Sequence, residues 1–411
     1  MHPITVIILA ALLIDAVVSV AADFLNLKSV RTRLPKAFEG LYDPQRYAAA
    51  QRYLRVNTRF GWVTAAVNLA VLLLFWFSGG FQWLDAWVRG LGHGDIVNGL
   101  LYIGILVACK ALIELPFGIY ATFGIEARFG FNQTTWKTYL SDRIKGALLA
   151  ILLGGPLLAL ILAFFLHAGP LAWFYCWAAT VGFMLLMQYI APTWIMPLFN
   201  RFEPLEEGAL NDAIMAYARS IDFALDRIFV MDGSKRSSKS NAFFTGFGRH
   251  RRIVLFDTLV EKHTTEELVA VLAHEMGHYK KKHIIKNLLV GIVQAGVMFF
   301  ILSLFISYPG LFAAFHVQEV SVYAGLIFFG LLYAPLDGLT GIALQALSRK
   351  HEYEADRFAV QTSQNGPALI TALKKLTVDN LSNLQPHPFY VFLNYSHPPI
   401  LNRIQAIEKA I

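Results

Sequence analysis

Apolar residues do not alternate with polar ones through most of this chain; they run on without interruption. Seven stretches approach the roughly 20 apolar residues that a helix needs to cross a bilayer. They lie at about 4–22, 61–81, 100–122, 146–167, 170–190, 287–307 and 321–343. Only His167, Ala168, Gly169 and Pro170 separate the fourth from the fifth, which predicts a tight link. The first stretch ends in Ser19-Val20-Ala21-Ala22, as a cleaved leader does, but no Lys or Arg precedes it, so it reads as a retained helix. Two polar regions, 191–286 and 344–411, are large enough to hold chemistry. The pattern predicts a mainly α, polytopic membrane protein of about seven transmembrane helices, five before the first polar region and two after it.

Composition sharpens this picture by exclusion. Of 411 residues 56% are hydrophobic and 15% charged, with a mean hydropathy of +0.50, which does not suit a soluble enzyme. The two cysteines, Cys109 and Cys176, both lie in apolar runs, so a disulfide framework and a cysteine-held zinc are excluded. Any metal must be held by histidine and carboxylate. The net charge of +7 would fit nucleic acid, but the placement of the 35 Lys and Arg argues otherwise. Eight fall between the first and second stretches, four between the third and fourth, 14 between the fifth and sixth, and seven after the last. This alternation predicts an outside N-terminus and a cytoplasmic C-terminus, with both polar regions cytoplasmic. The basic excess orients the chain in the bilayer, and no nucleic-acid partner is expected.

The first polar region carries the chemistry. Thr264 and Glu267 fit a helix capping box, and Lys280, Lys281 and Lys282 follow at the other end. On the helix between them His274 and His278 are four residues apart, so both imidazoles leave one face and can bind a single zinc. Glu275 stands beside the first. Zinc brings the pKa of its water toward about 7, and a carboxylate within reach can then take the proton as the oxygen attacks an amide carbonyl. A catalytic zinc also takes a third protein ligand. Residues 348–356 supply Glu352 and Asp356 on one helical face, one to bind metal and the other to orient a ligand histidine; His351 is a rival ligand.

Further segments are candidates on their own terms. Residues 240–247 and 253–256 flank a turn at 248–252 and read as a small β-hairpin. Its edge would hold an extended peptide by strand addition, with Asn241, Ala242 and Phe243 the candidate substrate contacts. Lys110, Glu114, Asp15 and Asp337 are charges inside apolar stretches, tolerated where they pair or face water. Lys110 and Glu114 are expected to form an ion pair. His263, His283 and His316 read as surface or interface histidines.

These residues together resemble the type I CAAX prenyl protease family of integral-membrane zinc metalloproteases. The resemblance is carried by His274-Glu275-Met276-Gly277-His278, by Glu352 four residues before Asp356, by Ser240-Asn241-Ala242-Phe243-Phe244, and by Ser396-His397-Pro398-Pro399 followed by Arg403. The order of five helices, peptidase loop and two helices extends it over nearly the whole chain. It implies a helical barrel around a water-filled chamber, with an N-terminal membrane region over 24–202 and a zinc metallopeptidase domain over 205–408 that includes the last two spans. It implies one zinc near the cytoplasmic side, held by His274, His278 and Glu352, with Glu275 as the base. Asp356 would support a ligand, His397 would stabilise the tetrahedral oxyanion, and Arg403 would support the site's geometry.

The implied activity is metalloendopeptidase hydrolysis of peptides or membrane proteins, prenylated or not. A chain shorter than eukaryotic members and without a C-terminal dilysine implies a bacterial relative. Such a protein would sit in the inner membrane, or in the endoplasmic reticulum if eukaryotic, and act in membrane-protein processing or quality control. Two rival classes compete with this reading. Leu336-Asp337-Gly338 mimics the aspartate motif of site-2-type intramembrane proteases, but in that family the histidine helix spans the bilayer, and here the apolar run 268–273 is far too short. A transporter or holdase would suit the buried charges, yet the stretches show no paired-half repeat.

Overall fold

The computed structural model describes residues 1–225, 227–245 and 252–411. Among them seven helices are long and apolar enough to cross a membrane: Pro3–Lys28, Pro44–Phe77, Asp95–Glu126, Trp136–His167, Gly169–Phe199, His283–Phe305 and Val322–Ser363. Each overlaps one of the predicted apolar stretches. The second begins earlier than its apolar run, because Asp43 caps it through the Arg46 amide and Pro44 supplies a preset first turn. It also ends earlier, where Gly79 adopts a φ of +78° and redirects the chain into a short helix, Gly80–Gly90. Wide π turns at Tyr120–Glu126, Ala150–Gly154 and Ala191–Ile195 each lie beside or around a proline, Pro116, Pro156 or Pro192, which breaks the regular ladder.

The seventh helix departs furthest from the sequence reading. Residues 348–356, placed by the pattern in the polar region after the seventh stretch, continue the span, which runs unbroken for 42 residues. Nothing in residues 348–356 stops it: they hold neither glycine nor proline, and the helix's one proline, Pro335, lies 17 residues before Glu352. The site carboxylates are therefore carried on the extension of a membrane helix.

The spans are loosely packed along two stretches. Residues 107–112 of the third and 334–339 of the seventh are exposed six in a row. At 100° per residue each run exceeds a full turn, so every side of both helices keeps exposed surface there. The expected ion pair is present on the third span, with Lys110 Nζ 3.7 Å from Glu114. Asp337 accepts a hydrogen bond from Gln294 of the sixth span at 3.2 Å.

Of three buried clusters, two lie at opposite ends of the spans. At one end Phe315 stacks on Phe328 at 4.1 Å and on Trp76 at 4.5 Å, while the Trp76 indole donates to the Ala314 carbonyl. At the other end the helix Thr265–Lys280 is packed between the sheet residues Ile253 and Leu255, Leu369 and Leu373 of the helix Gly366–Asp379, and Ala359 and Val360 of the seventh span.

The sheet is larger than the predicted hairpin. Strands β1 (Phe202–Pro204), β2 (Arg227–Met231), β3 (Ala242–Thr245) and β4 (Arg252–Phe256) are ordered β1-β2-β4-β3. β3 and β4 pair antiparallel as expected, and residues 246–251, which hold most of the predicted turn, lie outside the described residues. β4 is not an edge, however; its other side pairs parallel with β2, the overlooked run Arg-Ile-Phe-Val-Met.

Candidate active site

The capping box forms as its sequence predicts. The Glu267 amide donates to Thr264 Oγ1 at 3.4 Å and the Thr264 amide to Glu267 Oε2 at 3.0 Å, which fixes where the helix Thr265–Lys280 begins. From that start His274 and His278 face the seventh span. Gly277 lies on the same side, and a Cβ there would stand 3.2 Å from Ala355 Cα and 3.1 Å from the Phe358 ring. The missing side chain allows the close approach that carries Glu352 to the histidines.

Three donors converge. His274 Nε2 and His278 Nε2 are 3.1 Å apart, His274 Nε2 lies 3.4 Å from Glu352 Oε2, and His278 Nε2 lies 3.3 Å from Glu352 Oε1. Four ligands around zinc at about 2.0–2.1 Å form a tetrahedron whose edges are about 3.3–3.4 Å. Each histidine lies at about that spacing from the other and from one of the two Glu352 oxygens, and single ligand atoms of the three residues fall within 4.8 Å of one another, so the residues fit a metal ion. Glu352 Oε2 is buried without a hydrogen bond, and the Arg403 guanidinium passes 3.4 Å away without satisfying it. Burial works to lower the His274 pKa, but Asp356 and Glu352 outweigh it and hold the imidazole at about 9. The same negative surroundings favour a bound cation.

The remaining predicted residues fall around this centre. Asp356 Oδ1 lies 2.9 Å from His274 Nδ1, which leaves Nε2 facing Glu352. Arg403, buried on the helix Ile400–Glu408, grips both Asp356 oxygens at 2.6 and 2.8 Å. His397 lies at the mouth, with Nε2 3.4 Å from Glu352 Oε1 and Nδ1 2.9 Å from Ser396 Oγ. Glu275 is half-buried beside His274, and burial pushes its carboxyl above the usual range while His274 and His278 pull it down. A cavity of about 480 Å³ lined by Leu373, Thr377, Asn380, Tyr395, His397 and Arg403 opens alongside.

Asn241, Ala242 and Phe243 lie at the sheet edge rather than among these groups. The Phe256 amide donates to the Asn241 carbonyl, which sets the alternation of the ladder. Ala242 and Phe244 then fall at positions whose backbone groups point away from β4, toward the open edge. The Phe244 ring packs 5.4 Å from Tyr279, next to His278, and so ties this edge to the histidine helix. Residues the sequence reading did not single out hold the segment in place. The Asn380 amide bonds both backbone groups of Ser240, Lys239 pairs with Glu126 and Tyr53 at 2.9 Å, and Arg236 grips Asp142 at 2.8 and 3.0 Å.

Two expectations about histidines need correction. His263 is buried, with Nδ1 3.1 Å from the Leu259 carbonyl, because it ends a short helix packed under the sheet. His283 is buried against His278, because Lys282 takes a φ of +59° and turns the chain sharply after the histidine helix. His351 is not in the donor set; it stacks on His283. Asp337 lies on the membrane part of the seventh helix and is likewise outside the set.

A histidine-bearing helix that does not span, a carboxylate delivered by one that does, and a glutamate beside the first histidine define a membrane-embedded metallopeptidase. Residues 23–201 match the CAAX prenyl protease N-terminal family, five membrane helices, and residues 204–411 match peptidase family M48. The chain belongs to peptidase family M48. It is 35% identical over 387 residues to the CAAX prenyl protease 1 homolog of Oryza sativa, covering 92% of this chain and 90% of that one. It is 34% identical over 413 residues to CAAX prenyl protease 1 of Saccharomyces cerevisiae, covering 93% and 90%. The crystal structure of S. mikatae Ste24p superposes with a TM-score of 0.94 at 31% identity, over 99% of this chain and all of that one. The protein is thus a multi-pass membrane metalloendopeptidase, and the transporter and site-2-type alternatives are set aside.

Proposed function

We propose that one zinc ion is the resident metal, held by His274, His278 and Glu352, and that the enzyme cleaves peptide bonds near the C-termini of prenylated CAAX-type substrates. The convergence of two imidazoles and a buried carboxylate carries the zinc assignment, and the likeness to CAAX prenyl proteases supports the substrate class. A zinc ion there supplies an acidified water and polarises the scissile carbonyl.

Each side chain then has a task set by its position. Glu275 takes the water's proton and returns it to the departing amine. His397 donates to the carbonyl oxygen as that oxygen gains negative charge. Asp356 holds His274 by its Nδ1–H, and Arg403 holds Asp356, so the donor set is fixed before substrate arrives. Extended substrate lies along β3, where Ala242 and Phe244 offer outward backbone groups and Asn241 and Phe243 flank the chain. The exposed turns on the third and seventh spans support a water-filled chamber that would admit a lipidated end. The Lys and Arg distribution supports a cytoplasmic site and C-terminus with the N-terminus outside.

The test is cleavage of a farnesylated CAAX-ended peptide and its unprenylated twin by the purified protein in detergent. Glu275→Ala and a zinc chelator serve as controls. Cleavage that requires the prenyl group and disappears in both controls is the expected result. Equal cleavage of both peptides would replace the substrate proposal with general turnover of membrane proteins, and cleavage that survives the controls would reject the mechanism.

A further inference from the structure

We infer that His283 and Glu354 position the metal ligand His278, as a second and separate support beside the Asp356–His274 contact; this rests on the metal reading above. His278 Nδ1 lies 3.0 Å from His283 Nδ1, and His283 Nε2 lies 3.0 Å from Glu354 Oε2. His283 is buried, and its ring lies flat on His351 at 4.0 Å with 11° between planes, so it has no freedom to flip away. Glu354 is half-buried and its other oxygen faces Lys350 at 4.0 Å.

Only one placement of ring protons satisfies this chain and a metal together. The Glu354 carboxylate can only accept, so His283 Nε2 must donate to it. Metal binding requires a lone pair on His278 Nε2, so the proton of a neutral His278 sits on Nδ1 and is donated to His283 Nδ1. His283 is then neutral, with Nδ1 as acceptor. A doubly protonated His283 would donate from Nδ1, force the His278 proton onto Nε2 and deny the metal its ligand. The hydrogen-bond pattern therefore ties the tautomer of a ligand to a carboxylate two links away. Asp356 does the same for His274 in one link. Both carboxylates come from the seventh helix, two residues apart and on different faces, and each serves a different histidine.

The metal-free full chain in detergent is titrated with zinc in competition with a chromogenic chelator, and with cobalt to read the ligand-field spectrum. Glu354→Leu and His283→Leu are expected to weaken zinc binding about 10- to 100-fold and to shift the cobalt bands. Glu354→Gln, whose amide oxygen still accepts from His283, should recover most of the affinity. Thermal unfolding of the metal-free variants separates positioning from folding, because positioning leaves that midpoint near wild type. Wild-type zinc affinity and cobalt bands in Glu354→Leu would overturn the inference, as would equal losses in the Leu and Gln variants. His274→Ala is the reference: if it retains zinc, the metal reading itself fails, whereas loss there with unaffected Glu354 variants removes only the positioning role.

Discussion

At the scale of single residues the site separates holding a metal from using it. Glu275 makes none of the close contacts that gather the three donors, so Glu275→Gln should retain zinc at full stoichiometry and lose about 10²–10⁴-fold in turnover. Metal analysis alongside peptide cleavage checks both halves; a fully active Glu275→Gln enzyme would remove the proposed base. Arg403 presents the opposite case, since it is buried and neutralises Asp356 from outside the donor set. Arg403→Ala leaves a buried carboxylate without its cation, and should cost about 3–5 kcal/mol of stability. Thermal unfolding in the presence of excess zinc would register it, and an unchanged midpoint would argue that Asp356 finds another partner. Most of these residues were legible because local rules reveal them: four-residue spacing put His274 with His278 and Glu352 with Asp356. His283 was not legible, because its partner His278 is five residues away across a helix break, a distance that no helical repeat brings together.

At the scale of elements the decisive contact is the crossing of the histidine helix with the seventh span at Gly277. A methyl group there meets the Phe358 ring and the Ala355 backbone, and the backbone cannot give way without shifting a helix. Gly277→Ala should therefore weaken zinc binding by several-fold or more although no ligand is altered and alanine favours the helix. The competition titration measures it, and unchanged affinity would mean that the crossing has slack. The same section of chain shows how far pattern reading extends. Capping residues located the start of the histidine helix to the residue, because the signal is local. The parallel β2–β4 pair stayed hidden, since β2 is only five residues long and its partner lies beyond an intervening strand. The unbroken seventh helix was obscured by its change of solvent: hydropathy drops after residue 343, but helical backbone does not require uniform surroundings.

At the scale of the whole molecule a bound metal would fasten the histidine helix to the seventh span. Zinc bound to the folded chain alone stabilises it by about 4 kcal/mol at a thousandfold excess over its dissociation constant, so chelation should lower the unfolding midpoint, and zinc should restore it. No shift on chelation would mean that the folded chain holds no ion. The membrane character and the number of spans were legible from apolar run length alone, while a chamber was implied only by the family resemblance, because lipid-facing and chamber-facing positions can be equally apolar. The seventh helix links these levels mechanically. Pro335 removes one rung of its ladder in the membrane, and Glu352 rides about 25 Å further along the rod. A one-degree swing about that proline moves the carboxylate roughly 0.4 Å, comparable to the tolerance of a metal site. The repacking of a neighbouring span, which sets how such a helix leans, would therefore be felt at the hydrolytic centre as a change of aim.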